Sequence, residues 1–120
     1  MGQGAPARTV AALIAALRGD AGIDGLLARR VRLTIDAGGA ASLPAGVVTG
    51  RLPAADALRD LFGRFTDPQP AAVEVNGAPG IVVRSCGRAV AVIAVHPRGR
   101  QISELWVIAN PDKLRHWASS

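Results

Sequence analysis

The 120-residue chain has no tyrosine, a single cysteine and a single lysine, and no apolar run approaching the ~20 residues that a membrane-crossing helix needs. One cysteine, Cys86, excludes an internal disulfide and fits a reducing, cytoplasmic setting. No basic segment leads into a long apolar stretch near Met1, so no secretory signal is read there. Two Trp and two Phe are the only aromatics, 3% of the chain. The core must therefore be aliphatic, and the stacking platform of a single-stranded nucleic-acid binder is missing. The two His and one Cys lack ligand spacing, so neither a metal nor another cofactor is expected.

What is present is apolar and basic. Hydrophobic residues make up 49% and the mean hydropathy is +0.25, enough for one folded domain spanning residues 1–120. Met1–Ala7 reads as a disordered end. The net charge is +5, carried almost entirely by Arg. Only Arg29, Arg30 and Arg32 cluster in sequence, and such scatter argues against direct nucleic-acid binding.

Periodicity places the elements. Val10, Leu13, Ile14 and Leu17 recur at helical spacing after a capping Thr9, with Gly19 as the stop. A short second helix is expected over Ile23–Ala28. Val31, Leu33 and Ile35 alternate with polar partners as a strand ended by Asp36-Ala37-Gly38-Gly39. Val47–Thr49 is a candidate short strand. Pro53 opens a third helix carrying Leu58, Leu61, Phe62 and Phe65, which ends by Asp67-Pro68. From there the period changes to two, in strands Ala71–Asn76, Pro79–Ser85, Arg88–Val95 and Gln101–Ala109, separated by turn formers. Helices first and strands after indicate an α+β fold, with three N-terminal helices packed on a curved antiparallel sheet.

Hairpins closed at Asn76/Pro79, Ser85/Arg88 and His96/Gln101 sort the strands onto two faces. Glu74, Val83, Val92, His96, Leu105 and Val107 fall on the face turned to the helices, as a ligand pocket with Asp36 at its edge. Arg84, Ile93, Glu104, Trp106 and Ile108 fall on the other. Both faces are mainly apolar, and the helices can cover only one. The second face is expected to meet a second copy of the chain, with Trp106 as its anchor and an Arg84–Glu104 pair across the dimer.

Three segments carry a family resemblance: Val75-Asn76-Gly77-Ala78-Pro79-Gly80, the Arg88–Val95 strand, and Asn110-Pro111-Asp112-Lys113-Leu114. With Asp36-Ala37-Gly38-Gly39, close to an Asp-Gly-Gly-Gly motif, they resemble the C-terminal SnoaL-like domain of a group of bacterial extracytoplasmic-function sigma factors. The resemblance spans nearly the whole chain. It implies a nuclear-transport-factor-two-like, cone-shaped fold, a regulatory role, and transcription machinery as a partner. The wider superfamily includes polyketide cyclases and ketosteroid isomerases. The cyclases' His and Asp fall at Leu105 and Val107 here, neither of which moves a proton, and the isomerases' Tyr has no counterpart.

The remaining acid–base candidates are Asp36, Glu74 and His96, each with a plainer reading as a turn former, an edge residue and an exposed hairpin residue. Cys86, in a Cys-Gly turn, reads as a bystander. Asp112 and Lys113 start a short terminal helix reaching Leu114 and Trp117. Two functions compete: a non-catalytic module that binds a small apolar ligand or a protein partner, and an isomerase- or cyclase-like enzyme with an unusual acid–base set. An enzyme needs at least two of the three candidates converging in one pocket.

Overall fold

The computed structural model describes residues 5–19, 22–38 and 45–115. Two helices, α1 (Ala5–Leu17) and α2 (Arg51–Gly63), pack against one face of a six-stranded sheet. The strands are β1 (Leu27–Asp36), β2 (Gly46–Thr49), β3 (Gln69–Val75), β4 (Ala78–Ser85), β5 (Arg88–Arg98) and β6 (Gln101–Ile108). Their order across the sheet is β2-β1-β6-β5-β4-β3. A four-residue helix, α3 (Pro111–Leu114), follows β6. Among the described residues no helix is long and apolar enough to cross a membrane.

Three expectations are corrected. The segment assigned to a second helix forms one 3-10 turn, Asp24–Leu26, and β1 begins at Leu27. Leu27 is fully buried and Gln101 Nε2 donates to its carbonyl, which draws this segment onto the start of β6. The sheet is mixed: β1 lies parallel to β6, while every other neighbouring pair is antiparallel. Thr9 is not a cap either, since α1 starts at Ala5 and buries Thr9 inside it.

The core between helices and sheet is aliphatic. Val10 and Leu13 of α1 and Leu58, Leu61 and Phe62 of α2 meet Leu33, Ile81, Val83, Ile93, Leu105 and Val107. These six sheet residues are all fully buried. A smaller cluster sits on the opposite, outer face, where Leu114 packs against Val82 and Val92. The sheet thus has two apolar faces, and the chain's own end covers part of the second.

The register explains which residues face which way. In β5, Ala89 lies opposite Arg84 and Ala91 opposite Val83, so Val90 is an extra residue. In β6, Ile102 lies opposite Pro97 and Glu104 opposite His96, so Ser103 is extra, with its hydroxyl donating to the His96 carbonyl at 3.1 Å. Each bulge reverses the alternation of side chains between the two faces. Together they turn over β5 from Ala91 onward and the first two residues of β6. Ile93, expected outside, is therefore buried in the helix-side core, while Val92 and His96, expected inside, stand on the outer face. Ile102 joins the inner core for the same reason.

Gly80 is required by close approach. A Cβ there would lie 2.5 Å from Val75 Cγ2 and 2.8 Å from the Ile93 carbonyl oxygen, with no room to move away.

Candidate functional site

Asp36 ends β1, and three groups converge on its carboxylate. Lys113 Nζ donates to it at 2.6 Å, the Gly38 N–H donates at 3.0 Å, and the Asn110 side chain bonds it as well. The Lys113 hydrogen bond holds Asp36 below the usual carboxylate range, aided by Gly38 and Asn110 and opposed by desolvation. Backbone bonds extend the knot. The Ala109 N–H donates to the Asp36 carbonyl at 2.8 Å, and the Lys113 and Leu114 N–H groups both donate to the Asn110 carbonyl at 3.0 Å.

Gly38 has φ +62, the left-handed region, and a Cβ there would collide with the Asn110 side chain. The two sequence motifs, Asp36-Ala37-Gly38 and Asn110-Pro111-Asp112-Lys113-Leu114, are thus one structural unit. It clasps the C-terminal segment to the end of β1. An ionised carboxylate already engaged by an ammonium is a poor general base.

The other acid–base candidates lie elsewhere. Glu74 is exposed on the edge strand β3, four strand spacings from β1, or about 19 Å. His96 is exposed on the outer face and borders a groove of about 390 Å³ with Val75, Pro79 and Ala94. Val83, Leu105 and Val107 are packed in the inner core, and Val92 lies on the opposite face. The residues expected to share a pocket are not brought together. Among the described residues no three His, Cys, Asp or Glu side chains gather as a metal site.

Among the described residues the most exposed aromatic side chain is on the outer face. Trp106 is 45% exposed, with Ala94 opposite it on β5 and Thr34 opposite it on β1. Its indole N–H donates to Glu104 Oε2 at 2.9 Å, which fixes the ring's orientation. Ile108 continues the face toward Val82 and Val92, and Arg84 lies on β4 toward the end nearer the clasp. Cys86 is exposed at the β4–β5 turn with φ +54. Trp117 lies outside the described residues.

A cleft of about 510 Å³ opens where the segment after α2, the start of β5 and the C-terminal segment meet. Sequence reasoning missed it. Its walls come from distant parts of the chain, and no periodicity links Phe65 to Leu114.

No protein-family model matches the sequence, and no curated protein matches it. Solved structures do. The extracytoplasmic-function sigma factor SigJ of Mycobacterium tuberculosis superposes with a TM-score of 0.68 and 27% identity over 94% of this chain. The chain spans 45% of that sigma factor's length. A proposed ketosteroid isomerase from Kribbella flavida matches at TM-score 0.59 and 18% identity, covering 87% of this chain and 76% of the isomerase. A de novo designed protein with a curved β-sheet matches at TM-score 0.66 and 17% identity, covering 97% of this chain and 93% of the design. That such different proteins share the architecture means the fold assigns no activity. The fold is shared with a sigma factor and with isomerase-like proteins, consistent with a SnoaL-like domain.

Proposed function

We infer that the chain is a non-catalytic SnoaL-like module that acts by docking, in a setting that regulates transcription. The observation that carries this reading is the fate of Asp36. The one candidate carboxylate at the end of β1 is tied to Lys113 and Gly38, holding the C-terminal segment in place. Glu74 and His96 stand apart from it on exposed surface. On the helix side Leu105 and Val107 are fully buried in the core, and the hollow of about 450 Å³ between the ends of α1 and α2, lined by Leu17, Ile23, Leu58 and Phe62, has none of Asp36, Glu74 or His96 in its walls.

Two partners fit. The outer face around Trp106 suits a second copy of the chain, so the module is a homodimer, with Glu104 and Arg84 toward opposite ends of the shared face. The likeness to a sigma factor supports transcription machinery as the target of regulation. The competing reading, an isomerase or cyclase, requires a base and an oxyanion-stabilising group within reach of one substrate. It draws support from the isomerase-like neighbours.

The two readings separate in one assay. A steroid enone and a polyketide-like aromatic ester are offered to the protein, and turnover is followed by absorbance. The expected result is no turnover above buffer. Turnover that disappears in Asp36→Asn or His96→Ala would overturn the reading in favour of an enzyme.

A further inference from the structure

The geometry points to the cleft beside α3 as a binding site for a small amphipathic anion, an apolar body carrying a carboxylate. The cleft's apolar walls are Phe65, Ala89, Val90, Ala109, Pro111 and Leu114. Among the described residues the charged ones lining it are Arg88 and Arg115, both basic. The volume of about 510 Å³ lies within the range of small-molecule sites.

Three features of the fold build this hollow. The first is the bulge at Val90, which places Ala89 against the outer cluster and Val90 against the inner core. The cleft runs along the seam between the two clusters, where neither closes over the other. Phe65, two residues beyond α2, supplies the inner wall, and its ring meets Phe62 edge-on at 6.0 Å between centroids. The clasp is the third feature. Asp36 and Lys113 hold α3 in the position from which Pro111, Leu114 and Arg115 form the remaining wall.

The chemistry of the occupant follows. An apolar body replaces water along the aliphatic and aromatic walls, at about 25 cal/mol for each Å² of apolar surface removed from water. Guanidinium groups recognise a carboxylate by paired, charge-assisted hydrogen bonds. An uncharged molecule of the same shape forgoes that contribution, and a cationic one is repelled. Because the clasp holds one wall, occupancy and clasp are linked: a ligand bound to the closed arrangement stabilises it, and loosening the clasp weakens the ligand equally.

This proposal is independent of the docking reading. A cleft that binds nothing leaves the absence of turnover as it stands, and turnover in the enone assay leaves the cleft as it stands.

The test is isothermal titration calorimetry of the full chain with decanoate, decan-1-ol and decylammonium. Decanoate is expected to bind with an affinity at least about tenfold above decan-1-ol, one charge-assisted hydrogen bond's worth. Decylammonium is expected to bind weakest. Arg88→Gln, on an exposed residue whose loss leaves the core intact, is expected to reduce the preference for decanoate over decan-1-ol severalfold. Lys113→Ala is expected to weaken both ligands without altering their ratio. No binding of decanoate, equal binding of decanoate and decylammonium, or an unchanged preference in Arg88→Gln would each overturn the proposal.

Discussion

Replacing Val107 by Asp is expected to cost about 4 kcal/mol or more of stability at pH 7, close to the whole margin of a small domain. Val107 is fully buried, with Ile93 beside it on β5 and Ile35 beside it on β1. A carboxyl group there has no partner, and burial of that kind raises an aspartate's pKa by three units or more. At about 1.4 kcal/mol per unit, three units give the figure above. The sign makes the prediction specific. With the folded pKa raised above the unfolded value of about 3.9, the unfolded chain releases its proton first as pH rises. The penalty from the charge therefore grows between about pH 4 and pH 7 and is absent below pH 4. Urea unfolding of the variant at pH 4 and pH 7 measures it.

Leu105→Ala is the control, with an expected loss of about 2–5 kcal/mol that does not follow pH in this way. The comparison bears directly on function, because these two positions are where the superfamily resemblance sets the cyclases' His and Asp. If Val107→Asp is as stable as the parent at pH 7, the helix side is wet and hollow, and the enzyme reading regains its ground.

Trp106→Asp is expected to leave the chain monomeric. In a two-fold interface the same side chain is buried twice, so a hot-spot loss of about 2 kcal/mol per copy becomes about 4. That corresponds to roughly a thousandfold rise in the dimer dissociation constant. The fold itself should persist, since Trp106 is 45% exposed and lies outside both hydrophobic clusters. Sedimentation equilibrium supplies the measurement, with circular dichroism to check folding. Wild type that sediments as a monomer at high micromolar concentration sinks the homodimer. A variant that still dimerises moves the interface elsewhere.

The fold was legible where period and punctuation agree. The 3.6-residue pattern of α1 and α2 and the turns at Asn76-Gly77 and Cys86-Gly87 carried their own signals, and the structure has these elements in place. The start of β1 was not legible. Ile23–Ala28 offers helix formers, and the pairing of Leu27 with Ile102 of β6 bridges more than half of the chain, which no local pattern announces. The two bulges were invisible because a bulged residue looks like any other member of an alternating strand.

That single ambiguity moved Val92, Ile93 and His96 to the wrong faces while leaving Val83, Leu105 and Val107 facing the helices. The site followed the same division. The Asp36 and Asn110–Leu114 motifs stood out singly, but their union through Lys113 depends on β1 and β6 running parallel with their ends side by side.

The bulges at Val90 and Ser103 also decide where this chain tolerates losing a residue. Deleting Val90 leaves Arg84 opposite Ala89 and Val83 opposite Ala91, so every later pair of β4 and β5 keeps its partner. Deleting Ser103 likewise preserves the pairs on either side of it. A deletion between them, at Ile93 for example, leaves one end of β5 out of phase and carries buried aliphatic side chains into water. Length variation among relatives of this sheet is therefore expected to collect at these two positions and to avoid the residues between them. Shortened at Val90, a relative keeps its inner core and loses one wall of the cleft.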